Sequence, residues 1–215
     1  MTRPSQNTDQ KLIQVARRML PTTGCAGLNL REVAQAAHVN LGMFHYHFKT
    51  KDEFVRRVLE DVYRDFLKEF NRHTLPTQGS AMKRLESALF ELGRFGWLNR
   101  DLVVALSVDI LSGNKRVAKF IGQLIQGHML PIYQLFVECQ SEGKFLKGPL
   151  APTILQVALA INGPHLAVAL LNGAGAKGVL DLSMLQIESD FADEEKLRKR
   201  VRSVLRMVSR KKIEG

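Results

Sequence analysis

Leu28-Asn29-Leu30-Arg31-Glu32-Val33-Ala34-Gln35-Ala36-Ala37-His38-Val39-Asn40-Leu41-Gly42-Met43-Phe44-His45-Tyr46-His47-Phe48-Lys49-Thr50-Lys51-Asp52-Glu53-Phe54 is the stretch that decides the fold of this 215-residue chain. Asn29 stands three residues before Glu32, a spacing at which the Asn side chain caps a helix and the acid supports its first turn. Leu30, Val33, Ala34 and Ala37 recur at helical spacing and give that helix one apolar face. His38-Val39-Asn40 breaks the pattern, and Asn40 can cap a second helix, Leu41 to Phe48, in which Phe44 and Phe48 point inward. Two short helices around a three-residue turn have helix-turn-helix spacing, in which the second helix enters the major groove. A helical corner in a larger bundle has the same spacing, so residue identities must separate the two.

Those identities favour the first reading. Leu28 to Ala34, Ala37 to Asn40 and Phe44 to Phe54 together resemble the N-terminal DNA-binding domain of TetR-family transcriptional regulators. The most specific part is the ending His47-Phe48-x-x-Lys51-Asp52-x-Phe54. The resemblance covers about residues 9 to 60; beyond it the chain is similar only in being all-helical with two late apolar helices. Two departures stand out. His38-Val39-Asn40 replaces the family's usual Gly-Val-Ser, which keeps a capping oxygen at Asn40 but puts His38 where left-handed dihedrals are expected. His45, followed by Tyr46, replaces a Tyr that touches DNA in the family.

The resemblance implies an all-α protein with a DNA-binding domain at residues 1 to 53, a connecting helix over about 51 to 73, and an effector-binding and dimerisation domain at 54 to 215. Its DNA-facing set is Asn29, Arg31, Asn40, Leu41, Gly42, Met43, His45, Tyr46, Lys49, Thr50 and Lys51. Arg31 can bond guanine O6 and N7 in bidentate fashion. Gly42 permits close approach to the groove, where Leu41 and Met43 can meet a thymine methyl, unless these two pack into the domain's own core. His45, Tyr46, Thr50 and Lys51 are expected on phosphates, with backbone N–H groups at the helix N-termini.

Moving outward, Leu12, Ile13, Ala16, Met19 and Leu20 predict a first helix over about 9 to 20, ended by Pro21, with a connector at 22 to 27. Thr50 and Glu53 form a capping box before a long helix carrying Phe54, Val55, Val58, Leu59, Val62 and Phe66. Beyond Leu75 to Gly79, helices are expected from Ser80, from Asn99 or Asp101 to about Leu111, and from Asn114 to Cys139, the last kinked or divided at Pro131. Residues 143 to 149 read as a loop, 150 to 172 as an apolar helix kinked near Gly163-Pro164, 173 to 192 as loosely structured, and 193 to 212 as a final helix.

The formal net charge of +10 is unevenly placed: +5 over residues 1 to 51, −3 over 52 to 195 and +8 over 196 to 215. Basic ends around an acidic body suit a polyanion partner or solvated helix faces. The apolar run Ile154 to Leu171 is interrupted by Gln156 and by Asn162-Gly163-Pro164-His165, so a buried helix is expected and no membrane partner. Cys25 and Cys139 suit a reducing cytoplasm and packed thiols. His38, His45 and His47 do not form a metal set, because residues two apart on a helix point about 200° apart. Gly173-Ala174-Gly175-Ala176-Lys177-Gly178 matches a dinucleotide pattern but follows a helix where the motif needs a strand, so no cofactor is expected.

The resemblance further implies a small-molecule effector, with Trp97, His128, Met129, Tyr133, Phe136 and His165 as candidate contacts, and a homodimer through helices at about 150 to 172 and 193 to 212. The leading function is a repressor that binds a palindromic operator on double-stranded DNA and is released by its effector. The alternatives are an activator or protein-responsive regulator of the same fold, and an all-helical enzyme or membrane-surface protein.

Overall fold

Helix α1 (Thr8–Gly27) presents Leu12, Ile13, Val15, Ala16 and Leu20 to the core, and runs through Pro21 to a break at Gly24, which adopts φ 61°. The structure, a computed structural model, describes residues 8–74, 79–145 and 147–209. The polar start at 1 to 7, most of the 75 to 79 connection, and residues 210 to 212 of the expected final helix lie outside them. Helices α2 (Leu30–Ala36) and α3 (Leu41–His47) come next, then α4 (Lys51–Thr74). Phe44, Phe48 and Phe54 form an aromatic cluster with centroids 4.8 to 5.4 Å apart. Arg17 donates to Asp61 at 2.7 Å and to Asp65 at 3.2 Å, tying α1 to α4.

The chain falls into two compact units. Unit 1 comprises residues 1–65 and 101–124, and unit 2 residues 66–100 and 125–215. Most of α6 (Arg100–Leu111) and the first turns of α7 (Lys115–Ser141) therefore sit with the N-terminal helices. The reason is visible in one residue: Asp109, 6% exposed, accepts from Cys25 N at 2.6 Å and Ala26 N at 3.3 Å. Its carboxylate caps the segment after the Gly24 break, where a Cβ would lie 3.0 Å from Asp109 Oδ2.

Unit 2 is built from α5 (Ala81–Leu98), the rest of α7, α8 (Leu150–Gly173), α9 (Met184–Ala192) and α10 (Glu194–Val208). α5, α8 and α10 pack on one another, and α9 packs on α8 and α10. Gly93 and Gly96 permit this: a Cβ on Gly93 would come 2.8 Å from Ile161 Cγ2, and one on Gly96 2.2 Å from Asn162 Oδ1. The basic charges of α10 find partners within unit 2. Arg202 pairs with Glu86 at 2.6 Å, Lys196 pairs with Asp190 at 2.6 Å, and Arg198 lies 3.6 Å over the Phe90 ring.

The all-α expectation holds, with two local corrections. Pro21 does not end α1; the Thr22 and Thr23 hydroxyls donate to Met19 O at 2.8 and 3.1 Å, and Asp109 caps the turn beyond Gly24. α7 runs undivided through Pro131 and α8 through Pro164, with flanking core residues such as Ile132, Leu135, Ile161 and Val168 anchoring the chain on both sides of each ring. The segment expected to be loose holds an antiparallel hairpin, β1 (Gly178–Val179) and β2 (Leu182–Ser183), leading into α9. A Ser183/Gln186 capping box starts α9. Gly178 of the dinucleotide-like run is a hairpin residue whose Cβ would meet Leu182 O at 2.3 Å.

Candidate nucleic-acid interface

Each helix of the motif starts at a side-chain cap. Arg31 N donates to Asn29 Oδ1 at 3.0 Å, and Asn29 Nδ2 donates to Glu32 Oε1 at 3.1 Å, so the cap itself is held in place. Gly42 N donates to Asn40 Oδ1 at 2.7 Å, and a Cβ on Gly42 would sit 3.2 Å from that oxygen. Glycine keeps the cap uncrowded. His38 takes φ 53°, the left-handed geometry that the turn demands, at some strain for a residue with a side chain. At the start of α4, Glu53 N donates to Thr50 Oγ1 at 3.1 Å, while Glu53 Oε2 accepts from Lys49 N at 3.3 Å, one residue earlier than a regular capping box.

These caps orient one exposed surface. Asn29, Arg31, Leu41, His45 and Lys51 line a single open groove, floored by Gly27, Leu28 and Leu30. Gly42, Lys49 and Thr50 are exposed beside them, and Tyr46 is 69% exposed. Leu41 and Met43 are half-buried, whereas Phe44 and Phe48 are core. The Arg31 and Lys49 side chains form no ion pair among the described residues. Lys51 is engaged, its Nζ donating to Ala26 O at 2.8 Å, which leaves its other two protons free. The surface can therefore offer a planar guanidinium, ammonium groups and two helix N-termini to a polyanion.

One residue of unit 1 is invisible to motif reading. Asp109 holds the end of α1 from 84 positions along the chain, and its only sequence hint is a lone acid in the run Leu102 to Leu111, which is apolar but for Ser107. Cys25 lies against it. Burial, and then the Asp109 carboxylate, push the Cys25 thiol up to about 12, so it is a neutral packed group.

The effector candidates scatter through unit 2. Trp97 and His165 come together with ring centroids 5.5 Å apart. His165 is 1% exposed, with Nε2 3.2 Å from Arg200 Nη1 and Nδ1 buried without a hydrogen-bond partner. Burial, then the Arg200 and Arg100 charges, hold it down at about 4. Arg100 lies 4.2 Å over Trp97, with a buried, unpartnered Nε. His128 is packed edge-on against Phe66 and Phe70, and burial lowers it to about 4. Phe136 is core, stacked on Phe145; Met129 is half-buried and Tyr133 faces outward.

A capped, exposed second helix beside free cations, on a small bundle closed by an aromatic core, defines a helix-turn-helix DNA-binding protein. Comparisons agree. Residues 12–58 match the family described as bacterial regulatory proteins, tetR family. "Probable HTH-type transcriptional regulator YttP" of Bacillus subtilis is 23% identical over 163 residues, covering 74% of this chain and 78% of its own length. "HTH-type transcriptional repressor KstR2" of Mycolicibacterium smegmatis is 30% identical over 84 residues, covering 39% of this chain and 40% of its own length. A TetR transcription regulator from Haloarcula marismortui superposes with TM-score 0.70 at 16% identity, covering 95% of this chain and 99% of that one. E. coli NemR in its reduced form gives 0.66 at 15% identity, covering 95% and 98%. At these identities the solved structures speak to the fold alone. Residues 12–58 are a TetR-type DNA-binding domain, and the chain, similar to these regulators, is a transcriptional regulator.

Proposed function

We propose that this regulator is a cytoplasmic repressor that binds a palindromic operator as a homodimer and leaves it when a small molecule enters unit 2. The observation that carries the reading is the convergence of Asn29, Arg31, Leu41, His45 and Lys51 on one groove between two capped helix starts. With α3 in the major groove, Arg31 and the front of α3 reach base edges, while Lys49, Thr50, Lys51, Tyr46 and His45 hold phosphates. The Mycolicibacterium relative, named a repressor, supports the direction of control.

Dimerisation is supported by α8. This helix is long and apolar, with mean hydropathy 1.7 over its most apolar stretch, and only 33% of that stretch is buried within the chain. It leaves Leu155, Leu159 and Leu170 exposed, a face that a second copy would cover. Two copies would present two recognition helices to half-sites about 34 Å apart. The effector reading rests on the Trp97, His165, Arg100 and Arg200 group, whose unpartnered buried nitrogens suit an anionic or hydrogen-bonding ligand. An effector preferring the DNA-incompetent state by about 1 to 3 kcal/mol suffices for control.

The test is a pair of variants titrated on specific and random DNA. Arg31→Ala should cost about 1 to 3 kcal/mol and relax one base position, while Lys49→Ala should weaken all sequences alike and lower the salt slope by about one. Uniform weakening by Arg31→Ala would remove it from base readout.

A further inference from the structure

A cavity of about 260 Å³ in unit 1 shares Lys51 with the DNA-facing groove. Its floor is apolar: Cys25, Val55, Leu59, Val117 and Phe120 line it, and the neutral Cys25 thiol adds no charge. Its rim is cationic, with Lys51, Arg56, Arg116 and Lys119 against a single carboxylate, Asp52. Asp52 is already paired with Arg116, and Arg56 sits 3.7 Å from Glu60 outside the cavity. That leaves Lys51, which touches only the neutral Ala26 carbonyl, and Lys119, which has no acidic partner among the described residues. The helices α4 and α7 both begin on this rim. Asn114 caps the second, accepting from Val117 N at 3.2 Å, so two partial positive helix ends add to the side-chain charges.

An apolar floor under uncompensated cations selects a ligand with both characters. The volume lies just below the range of drug-sized pockets, so the ligand must be small. We propose that this cavity binds a small amphipathic anion, a carboxylate or phosphate monoester on a short aliphatic body, and does so at the expense of the contact between Lys51 and DNA. One ammonium group cannot serve both partners fully. An anion drawing Lys51 inward weakens DNA binding by the factor with which DNA weakens the anion. The coupling rests on the reading of Lys51 as a phosphate contact; the binding of the anion does not.

The experiment uses the full chain. Calorimetric titrations with octanoate and octyl phosphate are run against two controls, inorganic phosphate without the tail and octanol without the charge. Binding to a random-sequence duplex at low salt is measured with and without the tighter ligand. The expected result is saturable binding of octanoate or octyl phosphate, the tighter of the two identifying the head group, with both controls at least tenfold weaker. Lys119→Ala lowers ligand affinity about tenfold, the worth of one charge-assisted hydrogen bond, and leaves ligand-free DNA binding as it was. In the parent protein the ligand weakens DNA binding, and in Lys51→Ala that effect disappears. Binding of neither amphiphile at millimolar concentration, equal binding of either control, or affinity unchanged in Lys119→Ala would overturn the site. Ligand binding that leaves DNA affinity untouched would overturn the competition. A parent protein that ignores the duplex without any ligand refutes the DNA reading instead, which separates the two failures.

Discussion

Removing the Asp109 carboxylate should cost more than any surface change in unit 1. Asp109→Ala takes the acceptor from two backbone donors at once, Cys25 N at 2.6 Å and Ala26 N at 3.3 Å. Cys25 is 4% exposed, so its N–H cannot turn to water; leaving it unpaired costs about 1 to 3 kcal/mol, and a hydrogen bond to a charged acceptor contributes about 1.5 to 3. The Ala26 residue is exposed, and its N–H can be rehydrated at little cost. The two figures describe the same loss, so Asp109→Ala should cost about 1.5 to 3 kcal/mol, or on the order of 5 to 10 °C in Tm for a chain of this length. Asp109→Asn keeps one oxygen for Cys25 N and should lose about half as much. Gly24→Ala attacks the same junction from the other side, since its Cβ would crowd the carboxylate at 3.0 Å in a backbone conformation that favours glycine. In a urea-denaturation cycle the double variant should therefore lose less than the two singles together. An Asp109→Ala protein within about 1 kcal/mol of the parent would refute the latch.

The close approach of α5 to α8 predicts that Gly96→Ala, whose Cβ would fall 2.2 Å from Asn162 Oδ1, costs about 1 to 3 kcal/mol in thermal melts. Gly122→Ala, with no neighbour near its added methyl, should be neutral or stabilising; equal effects would contradict the packing account. His128 and His165 are both held near 4, below the ordinary 6.5, so the folded state excludes a proton that the unfolded chain takes up. Stability is then full above pH 6.5 and is lost as pH falls toward 4, by about 2.5 kcal/mol per imidazole at pH 4.5. Urea midpoints unchanged between pH 7 and 4.5 would exclude this. Leu159→Asp, on the exposed face of α8, should convert dimer to monomer in sedimentation while leaving the fold intact by circular dichroism. A parent chain that sediments as a monomer at micromolar concentration would remove the dimer.

The DNA-binding head was legible because its signals are local. Asn29 and Asn40 reveal two helix starts within a few residues of themselves, and both cap as their spacing implies. Phe44 and Phe48 at i and i+4 reveal the buried face of α3. The features that sequence reasoning missed depend on distant partners or on competition between signals. Pro21 looks like a stop, but the continuation of α1 is secured by Asp109, 84 residues away. Pro131 and Pro164 cost their helices a hydrogen bond each, and only the assembled core shows that burial of the flanking residues outweighs this. The Ser183 and Gln186 capping box was readable in the sequence, and the glycine-rich run before it masked the signal. The effector candidates could not be ranked from the sequence because a helical face of aromatics does not say which side meets a ligand. Trp97 and His165 converge while Phe136 is plain core.

The most direct test of the central claim is selection of bound duplexes from a random pool by the full-length chain, then salt-dependent titration of the winner. The account expects enrichment of a two-fold-symmetric site with half-sites one helical turn apart, bound far more tightly than random DNA, and one conserved position of each half-site relaxed by Arg31→Ala. A pool that enriches no symmetric sequence, or a winner bound no better than random DNA at physiological salt, would contradict it.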